Sequence, residues 1–272
     1  MIDLSNPAER ARFFDVPDRR TAAVLGAIAG ALFILLMTAI LPAKSRIATL
    51  LLDRNSPHFP YPFTIQNFEH VLFFIGLGEL FVRWRIGKRE TAFIQRKYLP
   101  EDDQTVLQLG DLGPVRRRVA SEFENEHGFV PYLIDLSILQ LQSSRSVDQT
   151  VAVMNSSLEL IQHRVDLRYN IIRYIAWLVP TLGFIGTVMG LGASLAAVPS
   201  SGEVNLPEIA HTLAVGFDCT MVALVESAIL VFFLHITQER EEHAVNLAGQ
   251  YTLRNLINRL YVPDARSASL IQ

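Results

Sequence analysis

Four side chains able to handle an ion fall inside apolar runs of this 272-residue chain: Thr187, Asp218, Thr220 and Glu226. A carboxylate in such a run is a functional candidate, because burying an unpaired charge is expensive. On a helix at about 100° per residue, His211, Asp218, Val222 and Val225 share one face. Glu226 lies about 80° from Asp218, and Thr220 about 200° from it. The acids therefore border one side, and Thr220 looks away from them. Each group also has a structural alternative. Asp218 can accept from a neighbouring helix or reach His211 through water, and Glu226 can pair with a cytoplasmic-side basic residue of another helix. Thr187 and Thr220 can bond back to their own helix carbonyls.

Other chemistries find no support. GLGASLAAVPSSG lacks the GxxxxGK[ST] order of a phosphate-binding loop, and HITQEREEH is not the HExxH of a zinc protease. His58 has no second ligand at metal spacing. Cys219 is the one cysteine, so no intrachain disulfide can form, and in an apolar run it reads as a small hydrophobe. The expectation is a protein that is not an enzyme, with no cofactor, no metal and no nucleic-acid partner.

The elements that position these residues follow from composition. The chain is 50% hydrophobic and 19% charged, with a net charge of −3 and a mean hydropathy of +0.27. That places it in a lipid bilayer as an all-α integral membrane protein with four transmembrane helices. The expected order is a polar leader over 1–20, with a short amphipathic helix around PAERARFF as an alternative to a solvated segment, then a first span over 21–41. No cleavable signal is evident. A proline-rich connector over 42–64 holds one short amphipathic turn at 47–52. A second span covers 65–82, with Glu69 and His70 at its entry and Glu79 at its exit, where Glu79–Arg83 reads as an i,i+4 boundary pair. Residues 83–169 form a helical domain outside the bilayer, whose first helix breaks at Pro100. Within it, 132–169 has no Gly or Pro and reads as one or two long helices. Val147, Val151, Met154, Leu158, Ile161 and Val165 make its packing stripe. A third span over 170–198 contains Pro180, expected to kink it. A short turn over 199–207, a fourth span over 208–236 and a charged helical tail over 237–272 complete the chain.

Leu178–Ala196 is uncharged and carries Gly183, Gly186, Gly190 and Gly192. Small residues at this density suit close packing against other helices better than contact with lipid. Of the 24 Lys and Arg, 13 lie in 83–173 and none in 199–207. The positive-inside rule then puts the large loop and both termini in the cytoplasm, and the two connectors outside.

VPTLGFIGTVMGL, residues 179–191, resembles the signature of the MotA/TolQ/ExbB proton-channel family, a Pro-x-x-Gly-x-x-Gly-Thr-Val-x-Gly run opening a pore-forming span. Four spans resemble the flagellar-stator MotA branch, whereas TolQ and ExbB relatives have three. The resemblance implies a ring-forming homo-oligomer, a pentamer, around a MotB/TolR/ExbD-like single-span partner with a membrane Asp, in the bacterial inner membrane. The transported ion would be a proton, with Na+ as the alternative. Pro180 matches the family's functional proline, and Thr187 its pore-lining threonine. The family's second threonine falls at Gly216, with Thr220 one turn further in. Asp218 and Glu226 are not family features at these positions. The expected function is the ion-conducting subunit of a membrane motor, with Thr187, Asp218, Thr220 and Glu226 on the ion path and Pro180 coupling ion passage to helix movement. Gly183, Gly186, Gly190 and Gly216 would pack the helices. The alternative is a non-conducting scaffold that clamps partner helices in an envelope complex.

Overall fold

A computed structural model describes residues 19–54, 59–102, 104–120, 122, 128–198 and 205–261. The 1–18 part of the leader, His58 and residues 199–204 of the expected outer turn lie outside the described residues. Those described are all-α. The helices are α1 (Arg19–Ile40), α2 (Arg46–Leu52), α3 (Ile65–Ile94), α4 (Leu112–Val119), α5 (Phe129–Ser144), α6 (Val147–Arg168), α7 (Asn170–Ala196) and α8 (Leu206–Asn255), followed by a 3-10 turn at Ile257–Arg259. Four stretches are long and apolar enough to cross a membrane: Arg19–Ile40, Ile65–Ile94, Val147–Ala196 and Ile209–Arg259. The chain is a four-span helical membrane protein.

The chain forms two compact units. One takes in the described residues of 17–82 and 169–236, the other those of 83–168 and 237–272. In the first unit, α1 lies backbone to backbone with α3. A Cβ on Gly26 would stand 2.6 Å from the Phe74 carbonyl oxygen, and one on Gly78 2.8 Å from that of Ala22. The other side of α1 exposes Leu25, Leu32 and Leu35, and α7 likewise exposes Trp177, Phe184 and Leu195. Such faces fit a surrounding of lipid or of other helices. Ser45 caps α2 by accepting from the Ala48 amide, and α2 ends on Asp53 in the left-handed region (φ 44°).

Glu79 takes its partner from α1: Arg19 donates to it. This boundary pair links two spans, where the i,i+4 spacing to Arg83 pointed to a bond along one helix. Glu79 is buried, so the partner that neutralises it across the α1–α3 contact also ties the two helices.

In the second unit, α5 packs on α6. The 132–169 stretch resolves into two helices because Arg145 adopts a left-handed conformation (φ 52°). The serines around it supply the local bonds that replace the helix ladder. The Ser146 amide donates to Ser144 Oγ, and Ser146 Oγ accepts from the Gln149 amide. Met154, Ile161 and Val165 are buried, and Val147, Val151 and Leu158 are half-buried, so the stripe does face a core. The residue-83 end of α3 stops at Ile94, six residues before Pro100, and Lys97 follows with φ 49°. Beyond it, Arg96 and Tyr98 both donate to Glu122. Burial, followed by the hydrogen bond to Glu122, pushes the Tyr98 phenol above its ordinary value. A parallel bridge of Leu107 with Leu260 holds the end of the described chain.

Candidate functional site

The glycines of α7 face α8 at distances that exclude side chains. A Cβ on Gly190 would sit 2.9 Å from Gly216 Cα and 3.0 Å from the Thr212 carbonyl oxygen. On Gly183 it would meet Ala223 Cβ at 2.6 Å, and on Gly186 the Cys219 sulfur at 2.5 Å. Gly216 returns the approach from α8, where a Cβ would stand 3.2 Å from Thr187 Cα. A Cβ on Gly192 would meet nothing within 4 Å among the described residues. The seam thus uses positions 183, 186 and 190 and leaves 192 out, as the three- and four-residue spacing of one helix face requires.

Across this seam Thr187 and Thr220 touch hydroxyl to hydroxyl. Each also reaches the other helix's backbone. Thr187 Oγ1 donates to the Gly216 carbonyl at 2.9 Å, and Thr220 Oγ1 to that of Gly183 at 2.7 Å. A hydroxyl carries one proton, so two protons serve three contacts. The pair can exchange its donors without moving a heavy atom. Both threonines are half-buried. Thr187 also lies 3.4 Å from the Gly183 carbonyl of its own helix, the back-bond expected of an intramembrane threonine. The cross-helix bonds are the shorter ones.

Pro180 lies inside α7. It has no N–H, so the Ala176 carbonyl four residues back loses its helical donor. Ser227 of α8 supplies the replacement, donating from Oγ to the Ala176 oxygen at 2.8 Å. The proline defect is thus sealed from the neighbouring helix rather than left open. Ser227→Ala is expected to cost about 1 kcal/mol, the usual net worth of a hydrogen bond. It should also speed amide exchange around 172–184, measured by mass spectrometry, with Ser227→Thr as the variant that keeps the donor.

The acids sit elsewhere. Asp218 accepts a bidentate pair from Arg46 of α2, with Nη1–Oδ2 at 2.6 Å and Nη2–Oδ1 at 2.7 Å. The Asp218 side chain is 6% exposed and that of Arg46 61%. Glu226 contacts His70 of α3. The helix angles are therefore realised: Thr220 meets α7, while Asp218 and Glu226 turn towards α2 and α3. Of the four candidate ion-path residues, the structure brings together Thr187 and Thr220. Asp218 and Glu226 each have a separate partner, and those partners, Arg46 and His70, were not foreseen. The signal was present, because a buried acid demands a counter-group; its position is a tertiary fact. Arg46→Met, which strands a buried carboxylate, should cost about 1.5–3 kcal/mol, the range for hydrogen bonds to charged groups. Adding Asp218→Asn should recover part of that loss, because the stranded group is then neutral. A double-mutant cycle of thermal midpoints measures both.

Among the described residues no group of three or more His, Cys, Asp or Glu could hold a metal ion. What the helices define is a class: a multi-span helical membrane protein with a polar pair enclosed in a glycine seam. Comparison with known proteins finds a family match. Residues 129–248, which span α5, α6, α7 and most of α8, match the model of the MotA/TolQ/ExbB proton channel family. No curated protein and no solved structure matches.

Proposed function

We propose that the chain is the ion-conducting subunit of a membrane complex that turns ion-motive force into rotation or other mechanical work on an envelope or cytoplasmic target. The ion is a proton, with Na+ as the alternative. The observation that carries this reading is the Thr187–Thr220 contact, within a domain of a proton-channel family. A pair of hydroxyls that can swap donors offers an ion a polar surface in an otherwise apolar seam, and does so without an unpaired charge. Pro180 with its Ser227 cover supplies a helix defect whose opening can follow ion passage. Asp218 and Glu226, engaged by Arg46 and His70 away from the threonine pair, act on the path as a tuning charge and a second acid.

In this reading the chain assembles as a homopentamer around a MotB/TolR/ExbD-like partner, a single span with a membrane Asp that carries the ion. It lies in the bacterial inner membrane with both termini cytoplasmic. The spans are 21–41, 65–82, 170–198 and 208–236. The leader 1–20, the helical domain 83–169 and the tail 237–272 are cytoplasmic. The connectors 42–64 and 199–207 lie outside.

The second reading, a non-conducting scaffold that clamps partner helices, draws on the tightness of the same seam, where Gly186 and Gly190 leave no room for side chains. A proton-flux assay on the complex reconstituted in vesicles separates the two. Flux abolished in Thr187→Val supports the channel, and absence of flux from the wild-type complex supports the scaffold.

A further inference from the structure

A second polar cluster lies in the same unit on α3 and α8, apart from the threonine pair. His70 is buried, with its ring edge-on to Phe33 of α1 at 5.2 Å between centroids. Both ring nitrogens are engaged. Nε2 lies 2.8 Å from the Leu51 carbonyl oxygen, and Nδ1 lies 2.5 Å from Glu226 Oε1. A carbonyl oxygen only accepts, so Nε2 carries a hydrogen. The Nδ1–Oε1 contact then needs one more proton, on either side. Imidazolium with carboxylate and neutral imidazole with carboxylic acid satisfy it equally, and both arrangements make the pair neutral. Without that proton a ring lone pair would face a carboxylate across the same gap. The geometry thus defines a site with a count of one.

The surroundings give this proton somewhere to go. Glu69 is 0% exposed and lies within electrostatic reach of Glu226. The Cys219 thiol donates to its Oε1 at 3.4 Å, and its Oε2 has no hydrogen-bond partner among the described residues. Glu226 Oε2 and the Gln66 amide nitrogen are likewise buried and unpartnered. Cys219 also lines a cavity of about 20 Å³ with Asp53, Gln66, Gly186, Gly190 and Thr212, enough for a single water molecule. That cavity opens onto the glycines that flank Thr187. The charged and titratable groups bordering the cluster are Asp53, the C-cap of α2, Glu69 from α3, and Asp218 and Cys219 from α8, with Arg46 of α2 on Asp218; α1 contributes the Phe33 ring and α7 the two glycines. The Arg46 guanidinium is engaged by Asp218, and the Arg19 guanidinium by Glu79.

We infer that His70 and Glu226 together form a site for one exchangeable proton in the interior of the spanning unit, reached through Glu69 and the Cys219-lined cavity. On release the proton passes to the Glu69 carboxylate or to water, leaving neutral imidazole and a Glu226 carboxylate; on uptake the Nδ1–Oε1 bond is restored. The site is separate from the Thr187–Thr220 pair, and a chain that conducts nothing can still hold this proton. Its test therefore needs no flux.

The experiment uses the full chain in detergent without a partner, with 15N-labelled histidine and 13C-labelled glutamate, titrated across the pH range in which it stays folded. The result expected is that the His70 Nδ1 resonance and the Glu226 carboxyl infrared band change together, with one shared midpoint, while Nε2 stays protonated throughout. Two separate midpoints, or no change at either group, would overturn the inference: the first makes the groups independent, the second makes them a fixed structural bond. Glu226→Gln is expected to shift the His70 midpoint by more than about one pH unit, tenfold in proton affinity, or remove it. An unmoved midpoint counts against the site. The wild-type titration decides even where the variant does not fold.

Discussion

Thr187→Val is expected to lower proton flux through the reconstituted complex by at least about tenfold, while the subunit still folds and assembles. Valine keeps the shape of threonine and removes the hydroxyl, so packing in the seam changes little. The bonds lost are those Thr187 makes to Gly216 and Thr220. The Gly216 carbonyl lies inside α8, where the helix ladder already gives it a donor. Thr220 retains its bond to the Gly183 carbonyl. The stability cost should therefore stay near 0.5–1.5 kcal/mol, the net worth of one hydrogen bond. The cost to an ion crossing the seam is larger in proportion, since a stripped ion finds an apolar wall on one side, and each ~1.4 kcal/mol on the barrier is a factor of ten. Thr187→Ser restores the hydroxyl and should restore flux. Flux from Thr187→Val equal to a wild type that conducts would remove Thr187 from the path. Fluorescence-quench flux on vesicles, with subunit number checked by native mass spectrometry, makes the measurement.

The residues on α7 were the most legible in the chain, for a physical reason. A glycine-rich helix with a hydroxyl, Thr187, among its seam glycines has a short list of uses in a membrane, and the three- and four-residue spacing of Gly183, Gly186 and Gly190 names the face. The direction of Thr220 away from Asp218 follows from helix geometry alone, and the bonds bear it out. What could not be read was every contact set by distant chain. Arg46 lies 172 residues from Asp218 and His70 lies 156 from Glu226. A sequence shows that a buried acid needs a partner without showing which segment delivers it. The Gly26–Gly30 spacing of α1 was missed although its signal is the same small-residue repeat; both positions abut α3. The break between α5 and α6 at Arg145 had no Gly or Pro to mark it, because serine side chains do that work there. The Ser227–Ala176 bond is intermediate: the freed carbonyl is implied by Pro180, and its donor is a tertiary fact.

Alanine at Gly190 and at Gly192 should move stability in opposite directions, although the two positions are two residues apart on one helix. Glycine in a helix interior costs about 0.8–1.0 kcal/mol relative to alanine, so each substitution begins with the same gain. At Gly192 nothing among the described residues lies within 4 Å of the new methyl, and the gain stands. At Gly190 the methyl meets Gly216 Cα at 2.9 Å, the Thr212 oxygen at 3.0 Å and the Gly216 amide nitrogen at 3.1 Å. All three are backbone, so no side chain can turn aside, and α7 and α8 must separate. Overpacking of this kind costs about 1–3 kcal/mol, which outweighs the helix gain. The separation would also part Thr187 from Thr220, so Gly190→Ala should lose flux as well as stability, and Gly192→Ala should lose neither. Gly183→Ala gives an internal check. Its methyl collides with Ala223 Cβ at 2.6 Å, which Ala223→Gly removes, but it also stands 3.0 Å from Thr220 Cα, which no substitution relieves. The double variant should therefore recover part of the loss and not all of it. Thermal midpoints in lipid nanodiscs, at about 2–4 °C per kcal/mol for a chain of this size, resolve all four. Equal midpoints for the Gly190 and Gly192 variants would mean that the two helices do not meet along this face, and the threonine contact that depends on that meeting would fall with it.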